Sequence, residues 1–232
     1  DLYNYLGIAG GDTSSLISSV MVQKQDAGKG VKVKIITEDN ITKITSNQYA
    51  NAAITAGVSD VEIDVASVSK VTGESALTGV YKALEANGET LDLDRTQVAQ
   101  DELETTNEIA ENNADNSNFD SGRLDQAMVE IKQELAEIKK NQGSAATAEQ
   151  VEQVVTDALK KFNLSDIISQ DDIDKLIAFA KKYQNTSAID SQEVLEQLNK
   201  LSGNLKNQLS GLINKAQSEG WFDNHQLYQK SV

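Results

Sequence analysis

The chain has 232 residues, 39% hydrophobic and 25% charged, a balance that suits a folded protein and excludes wholesale disorder. It has no cysteine, so it can form no disulfide, thiol nucleophile or cysteine-ligated metal centre, and a single histidine argues against a conventional zinc site. Its net charge is −15, most of it in residues 85–125, where twelve acids face only Arg95 and Arg123; such a field repels phosphate backbones and argues against nucleic-acid binding.

Val20 and Val22, then Val31, Val33 and Ile35, alternate with polar neighbours, and this period of two with β-branched residues predicts two half-buried strands. Asp26-Ala27-Gly28-Lys29-Gly30 between them reads as the turn of a hairpin. Thr45 with Gln48 has the spacing of a capping box and opens a short helix through Tyr49, Ala53 and Ala56, which Gly57 closes. Val61, Ile63 and Val65 mark a third strand, with Glu62 and Asp64 on its other side. Leu77, Val80, Tyr81 and Leu84 then predict a helix that stops at Asn87-Gly88.

Asp94 with Gln97 is expected to start an acidic helix running to about Ala110. The polar run from Asn112 to Ser121 lacks any apolar period and reads as a linker. Four helical segments follow, at about 122–141, 147–163, 169–184 and 190–217. Three open on boxes: Thr147 with Gln150, Ser169 with Asp172, and Asp190 with Glu193. In the first segment Leu124, Met128, Ile131, Leu135 and Ile138 recur at steps of four and three. That 3.5-residue period presses a narrow apolar seam against a partner helix and would serve a homo-oligomer through 124–138. Leu198, Leu201, Leu205, Leu209 and Leu212 repeat the spacing in the last segment. The complete absence of proline suits such uninterrupted helices.

The expected fold is therefore α+β. A small β-sheet (hairpin plus βαβ-like unit) with packed helices is followed by a C-terminal all-α helical bundle or coiled-coil-like hairpins. Residues 1–111 form the α/β domain, 112–121 an acidic polar linker and 122–232 the helical domain. No apolar run approaches the roughly 18 residues needed to cross a bilayer. The chain opens at Asp1-Leu2-Tyr3 without an initiator methionine, as a processed or N-terminally truncated product would.

The stretch from Ser18 to about Glu111 carries an ordered series of short motifs. Ser18-Ser19-Val20 and Gly28-Lys29-Gly30-Val31-Lys32-Val33 come first, then Ile41-Thr42 and Thr45-Ser46-Asn47-Gln48-Tyr49-Ala50-Asn51-Ala52. Thr55-Ala56-Gly57-Val58, Val71-Thr72-Gly73-Glu74-Ser75-Ala76-Leu77-Thr78-Gly79-Val80-Tyr81-Lys82-Ala83 and Gln100-Asp101-Glu102-Leu103 complete it. In this succession the first half resembles a family of predicted secreted proteins of Gram-positive bacteria known only as domain of unknown function 1002 (YpuA-like). The resemblance implies export, hence an extracellular or cell-surface location. It brings no established activity and no assigned catalytic residues.

Candidate chemistry is sparse. No catalytic residue, nucleotide fingerprint or cofactor site is indicated. His225 lies alone in the polar tail, without the nucleophile and orienting group a catalytic base requires. Thr72, Gly73 and Ser75 join a strand to a helix, where free N–H groups could hold an anion. Asn116, Asn118 and Asp120 alternate like the first calcium ligands of an EF-hand, although Gly122 falls one place late and the closing glutamate is missing. Trp221 and Phe222 either staple the last helix to the bundle or touch a partner or membrane. These features favour a non-enzymatic binding or scaffold module that meets a protein or cell-envelope component through its helices. The competing readings are a cell-wall polymer hydrolase using paired carboxylates and a peripheral membrane-surface binder using residues 190–222.

Overall fold

The computed structural model describes residues 18–218, the side chains of Leu209 and residues 212–218 excepted. The alternating segments form strands β1 (Ser18–Lys24), β2 (Val31–Ile35) and β3 (Val61–Ser67). Their order in the sheet is β1-β3-β2. β1 runs antiparallel to β3, with Val20 opposite Val65, and β2 runs parallel to it, with Val31 opposite Val61.

The expected hairpin is absent, because β3 lies between its two arms. The reason is burial. Val61, Ile63 and Val65 are wholly buried, so β3 takes the centre, whereas Val20, Val22, Val33 and Ile35 are only partly covered on the edge strands. Period two tells which side chains share a face and says nothing about which strand lies alongside. The glycine turn survives with another purpose: the Gly30 N–H donates to the Asp60 carboxylate at 2.7 Å, and the Gln25 N–H to the Asp60 carbonyl at 2.7 Å. It closes onto the residue just before β3. The βαβ unit stands as expected, with β2 and β3 parallel across helix α1 (Ser46–Ala56).

α1 has the capping box read from Thr45 and Gln48, and Gly57 ends it in the left-handed region at φ 98°. With α2 (Ala76–Ala86) it covers one face of the sheet; Gly79 of α2 lets Val20 of β1 approach so closely that an added Cβ would meet it at 2.9 Å. α3 (Leu93–Asn112) starts two residues before the expected box, because the Asp92 carboxylate takes the N–H groups of Asp94 and Arg95. Turns over 113–120 lead into α4 (Ser121–Gln142), capped by Asp120.

α5 (Ala148–Lys161) and α6 (Gln170–Tyr183) begin as predicted on Thr147 and Ser169. The last expected start is displaced. Asp190 ends a 3-10 turn (Ser187–Asp190), and Ser191 instead receives the Val194 N–H ahead of α7 (Gln192–Ser218).

Buried apolar side chains form one continuous core from Val31 to Leu205. The seam of α4 lies inside it. Leu124, Met128, Ile131 and Leu135 are buried, but so are Ala127, Val129 and Ala136, and α4 packs on α1, α3, α5, α6, α7 and the 3-10 turn. The narrow stripe is thus part of a broad face filled by the same chain. Among the described residues no helix is long and apolar enough to cross a membrane. Trp221, Phe222 and His225 lie outside the described residues.

Candidate functional site

The densest concentration of chemistry is a charged cluster sealed where α1, α3, α4 and α6 meet. On α1, Asn51 and Thr55 stand one turn apart on one face, and on α4, Asp125 and Lys132 stand two turns apart on another. Glu102 enters from α3. Lys132 Nζ lies 2.7 Å from Glu102 Oε1, with the two side chains 0% and 1% exposed. The ammonium also donates to the Asn51 carbonyl at 3.2 Å, to Asn51 Oδ1 and to Thr55 Oγ1 at 3.1 Å, while the Thr55 hydroxyl donates to the other Glu102 oxygen. The Tyr183 ring of α6 closes the cluster, its centroid 6.0 Å from Nζ.

The electrostatics follow from this enclosure. Burial drives the Lys132 ammonium below its ordinary value, against the pull of Glu102 and Asp125. Asp125 is pushed up to about 8, chiefly by burial and then by the like charges of Asp120 and Glu102, with Lys132 acting in the opposite direction. Its Oδ1 has no hydrogen-bond partner, and neither has the buried Tyr183 hydroxyl, whose pKa is also raised by burial. Arg95, two turns before Glu102 on the same face of α3, donates from Nε to the Thr55 carbonyl at 2.9 Å and from Nη2 to Ile54 O at 3.4 Å, so a cation caps the C-terminus of α1. With the Lys132 ammonium spent on protein acceptors and the charges shut from water, the cluster ties helices together.

The outer surface of the helical part carries open grooves instead. One of about 360 Å³ between α4 and α5 is lined by Ile138 and Val154 together with Glu134, Asp157 and the Lys161–Glu130 ion pair. Another, of about 600 Å³, runs between α4 and α7 and shares Glu134. A third, of about 660 Å³, has Ile173 and Ile177 between α5 and α6. In the first groove, partial burial and then the neighbouring Glu130 and Glu137 raise the pKa of Glu134.

The residues singled out by sequence are dispersed. Thr72 Oγ1 hydrogen-bonds Glu74 at 3.3 Å, and Asn107 of α3 donates to the same carboxylate at 3.2 Å, so the chain's own acid stands at the entry to α2. Gly73, at φ 104°, receives the Tyr49 hydroxyl on its carbonyl; a Cβ there would sit 2.5 Å from that hydroxyl. Ser75 makes no side-chain cap bond. Asn116 Oδ1 takes the Asn118 N–H at 3.0 Å, and Asp120 Oδ1 takes the Arg123 N–H at 2.9 Å. Among the described residues no cluster of three or more acids and histidines has the disposition of a metal site. Lys132, Glu102 and Asp125 were not legible as a site, although two ionisable residues seven apart within an apolar stripe are the signal that marks them.

Comparison with known proteins places the chain. Residues 2–201 match the family model described as "Protein of unknown function (DUF1002)". The chain belongs to the DUF1002 family. It is 34% identical over 184 residues to the uncharacterized protein YpuA of Bacillus subtilis (strain 168), a match covering 79% of this chain and 57% of that protein's length. No solved structure matches. In the DUF1002 chain the sheet and the buried cluster fall within the matched residues, while Trp221 and Phe222 lie beyond them.

Proposed function

We propose that this protein is an exported, cell-envelope or extracellular binding module that engages a protein or envelope component through the grooves of its helical part. The observation that carries this reading is the division of its polar chemistry. The Lys132–Glu102 pair is satisfied internally, whereas the outward grooves set apolar side chains (Ile138 and Val154 in one, Ile189 and Leu195 in the other) among charged and amide groups, the make-up of a surface that receives another chain. Export is supported by the resemblance of its first half to predicted secreted proteins.

The chain has no cysteine, so a photo-cross-linker can be attached at one introduced thiol, Gln153→Cys in the α4/α5 groove, in the full-length protein expressed by a Gram-positive host. A discrete adduct with one envelope or secreted component, reduced at least tenfold by Ile138→Glu with Val154→Glu, supports the reading. Retention of the protein in the cytoplasm would overturn export. Turnover of purified wall polymer abolished by one carboxylate substitution would replace binding with hydrolysis, and liposome co-sedimentation abolished by Trp221→Ser with Phe222→Ser would replace it with membrane attachment.

A further inference from the structure

β1 is an edge strand: among the described residues nothing pairs with its outer side. Unpaired backbone N–H and C=O groups along such an edge are a template for another strand, and folded proteins usually blunt them with charge, proline or a bulge. β2 is blunted in this way, its solvent-facing positions holding Lys32 and Lys34. β1 is not. From Ser18 to Gln23 it has no charge and no proline, and its seven-residue register with β3 runs without a bulge.

The side chains point the same way. Met21 is 58% exposed on the solvent face of the sheet, and Val68 (91%) lies exposed at the end of β3, beside the start of β1. On the helix-covered face, Val20 and Val22 remain only partly buried although α2 packs over them. A strand laid along β1 would complete their cover.

We propose that the missing strand is β1 of a second copy, paired antiparallel about a two-fold axis at Met21, so that two three-stranded sheets become one of six. In that register Val20 faces Val22 of the second copy, Ser19 faces Gln23, and Ser18 faces Lys24. No like charges meet, and the apolar inner layer runs on unbroken across the axis. The same operation on β2, about Val33, would set Lys32 against Lys34 and is repelled. The apolar seam of α4 is already filled within the chain, which leaves β1 as the self-complementary surface. This inference stands apart from the groove-binding reading, since none of the groove-lining residues belongs to β1.

The cysteine-free chain makes the test direct. In the full 232-residue protein, Met21→Cys places two thiols opposite each other across the axis, at the roughly 4.5–5.5 Å Cα separation of facing antiparallel residues, within disulfide range. Mild oxidation should give a covalent dimer, while Ile36→Cys, exposed on the same face beyond the far edge strand, should give at least tenfold less. Light scattering of the parent at tens of micromolar should show a dimer, and Met21→Lys should weaken it at least tenfold with an unchanged circular dichroism spectrum. The proposal is overturned by a parent that stays monomeric, by a dimer indifferent to Met21→Lys, or by equal cross-linking from Ile36→Cys. Protection of the β1 edge amides in a monomer, showing that residues 1–17 of the same chain or another polypeptide occupies the edge, would overturn it too.

Discussion

Asp125 and Lys132 lie two turns apart on α4, both shut from solvent, yet Lys132 Nζ is fully hydrogen-bonded while Asp125 Oδ1 is not. Lys132 is fully engaged by Glu102, Asn51 and Thr55, whereas Oδ1 of Asp125 has no partner. One helix thus presents to the interior a satisfied charge and an unsatisfied acid, and the two respond to perturbation in opposite ways.

The acid makes stability depend on pH. Unfolded, Asp125 titrates near the ordinary value of about 3.9; folded, it is raised to about 8. Below pH 4 both states hold the proton. Between pH 4 and 8 the folded state keeps a proton that the unfolded state has lost, so this contribution declines as pH rises and is gone above pH 8. Asp125→Asn cannot ionise and should flatten the decline, by at most about 1.4 kcal/mol per pH unit within the window. Urea midpoints at pH 5, 7 and 9 check it; parallel curves for parent and variant would refute the assignment.

The lysine behaves as a buried ion pair. Lys132→Met leaves the Glu102 carboxylate in the interior without its cation and should cost roughly 3–5 kcal/mol. Adding Glu102→Gln should restore much of the loss, because a neutral pair needs no compensation. A double-mutant cycle by chemical denaturation reads the coupling, and additive losses would show that the pair does not act as a unit.

Gly73 should tolerate no side chain. Its φ of 104° is strained for any L-residue, and a Cβ would fall 2.5 Å from the Tyr49 hydroxyl and 2.8 Å from Ile41 Cγ2. Gly73→Ala is expected to destabilise by about 2–4 kcal/mol, and Tyr49→Phe, which leaves the Gly73 carbonyl without its donor, by about 1–2 kcal/mol. Gly88→Ala is the control: its φ is also positive, but open space surrounds it, so only the backbone cost of about 1 kcal/mol applies. Thermal melts of the three variants give the ranking, and equal losses at Gly73 and Gly88 would count against the steric account.

Gly203 should move stability the other way. It lies within α7 at ordinary helical angles, with nothing within 4 Å of an added Cβ. Gly203→Ala is expected to stabilise by roughly 0.5–1 kcal/mol through helix propensity. A lower melting temperature would mean that α7 meets something at this point.

What the sequence disclosed was local. Capping at Thr45, Thr147 and Ser169 and the left-handed stop at Gly57 depend on residues within one helical turn, and all are present. Strand adjacency is non-local, and so β3 slipped between two arms that alternation alone had joined. The start of α7 moved by one residue because a 3-10 turn absorbed Asp190. The buried cluster is not legible because the period of Leu124, Met128 and Ile131 marks one face of α4 and not the partners of Asp125 and Lys132, one place further round the helix. What Lys132 meets is decided by Asn51 and Glu102, both far away in sequence.

The strand order also bears on biogenesis. Among the described residues β1 precedes its pairing partner by a wide margin: the nearest pairing joins Lys24 to Val61, beyond the whole β2–α1 segment. β2, α1 and β3 can close upon one another as soon as they emerge, but the leading strand has to wait. In a polypeptide threaded amino end first through a ribosomal tunnel or a translocation pore, β1 therefore emerges before the strand it pairs with, and its apolar valines travel uncovered in the interval.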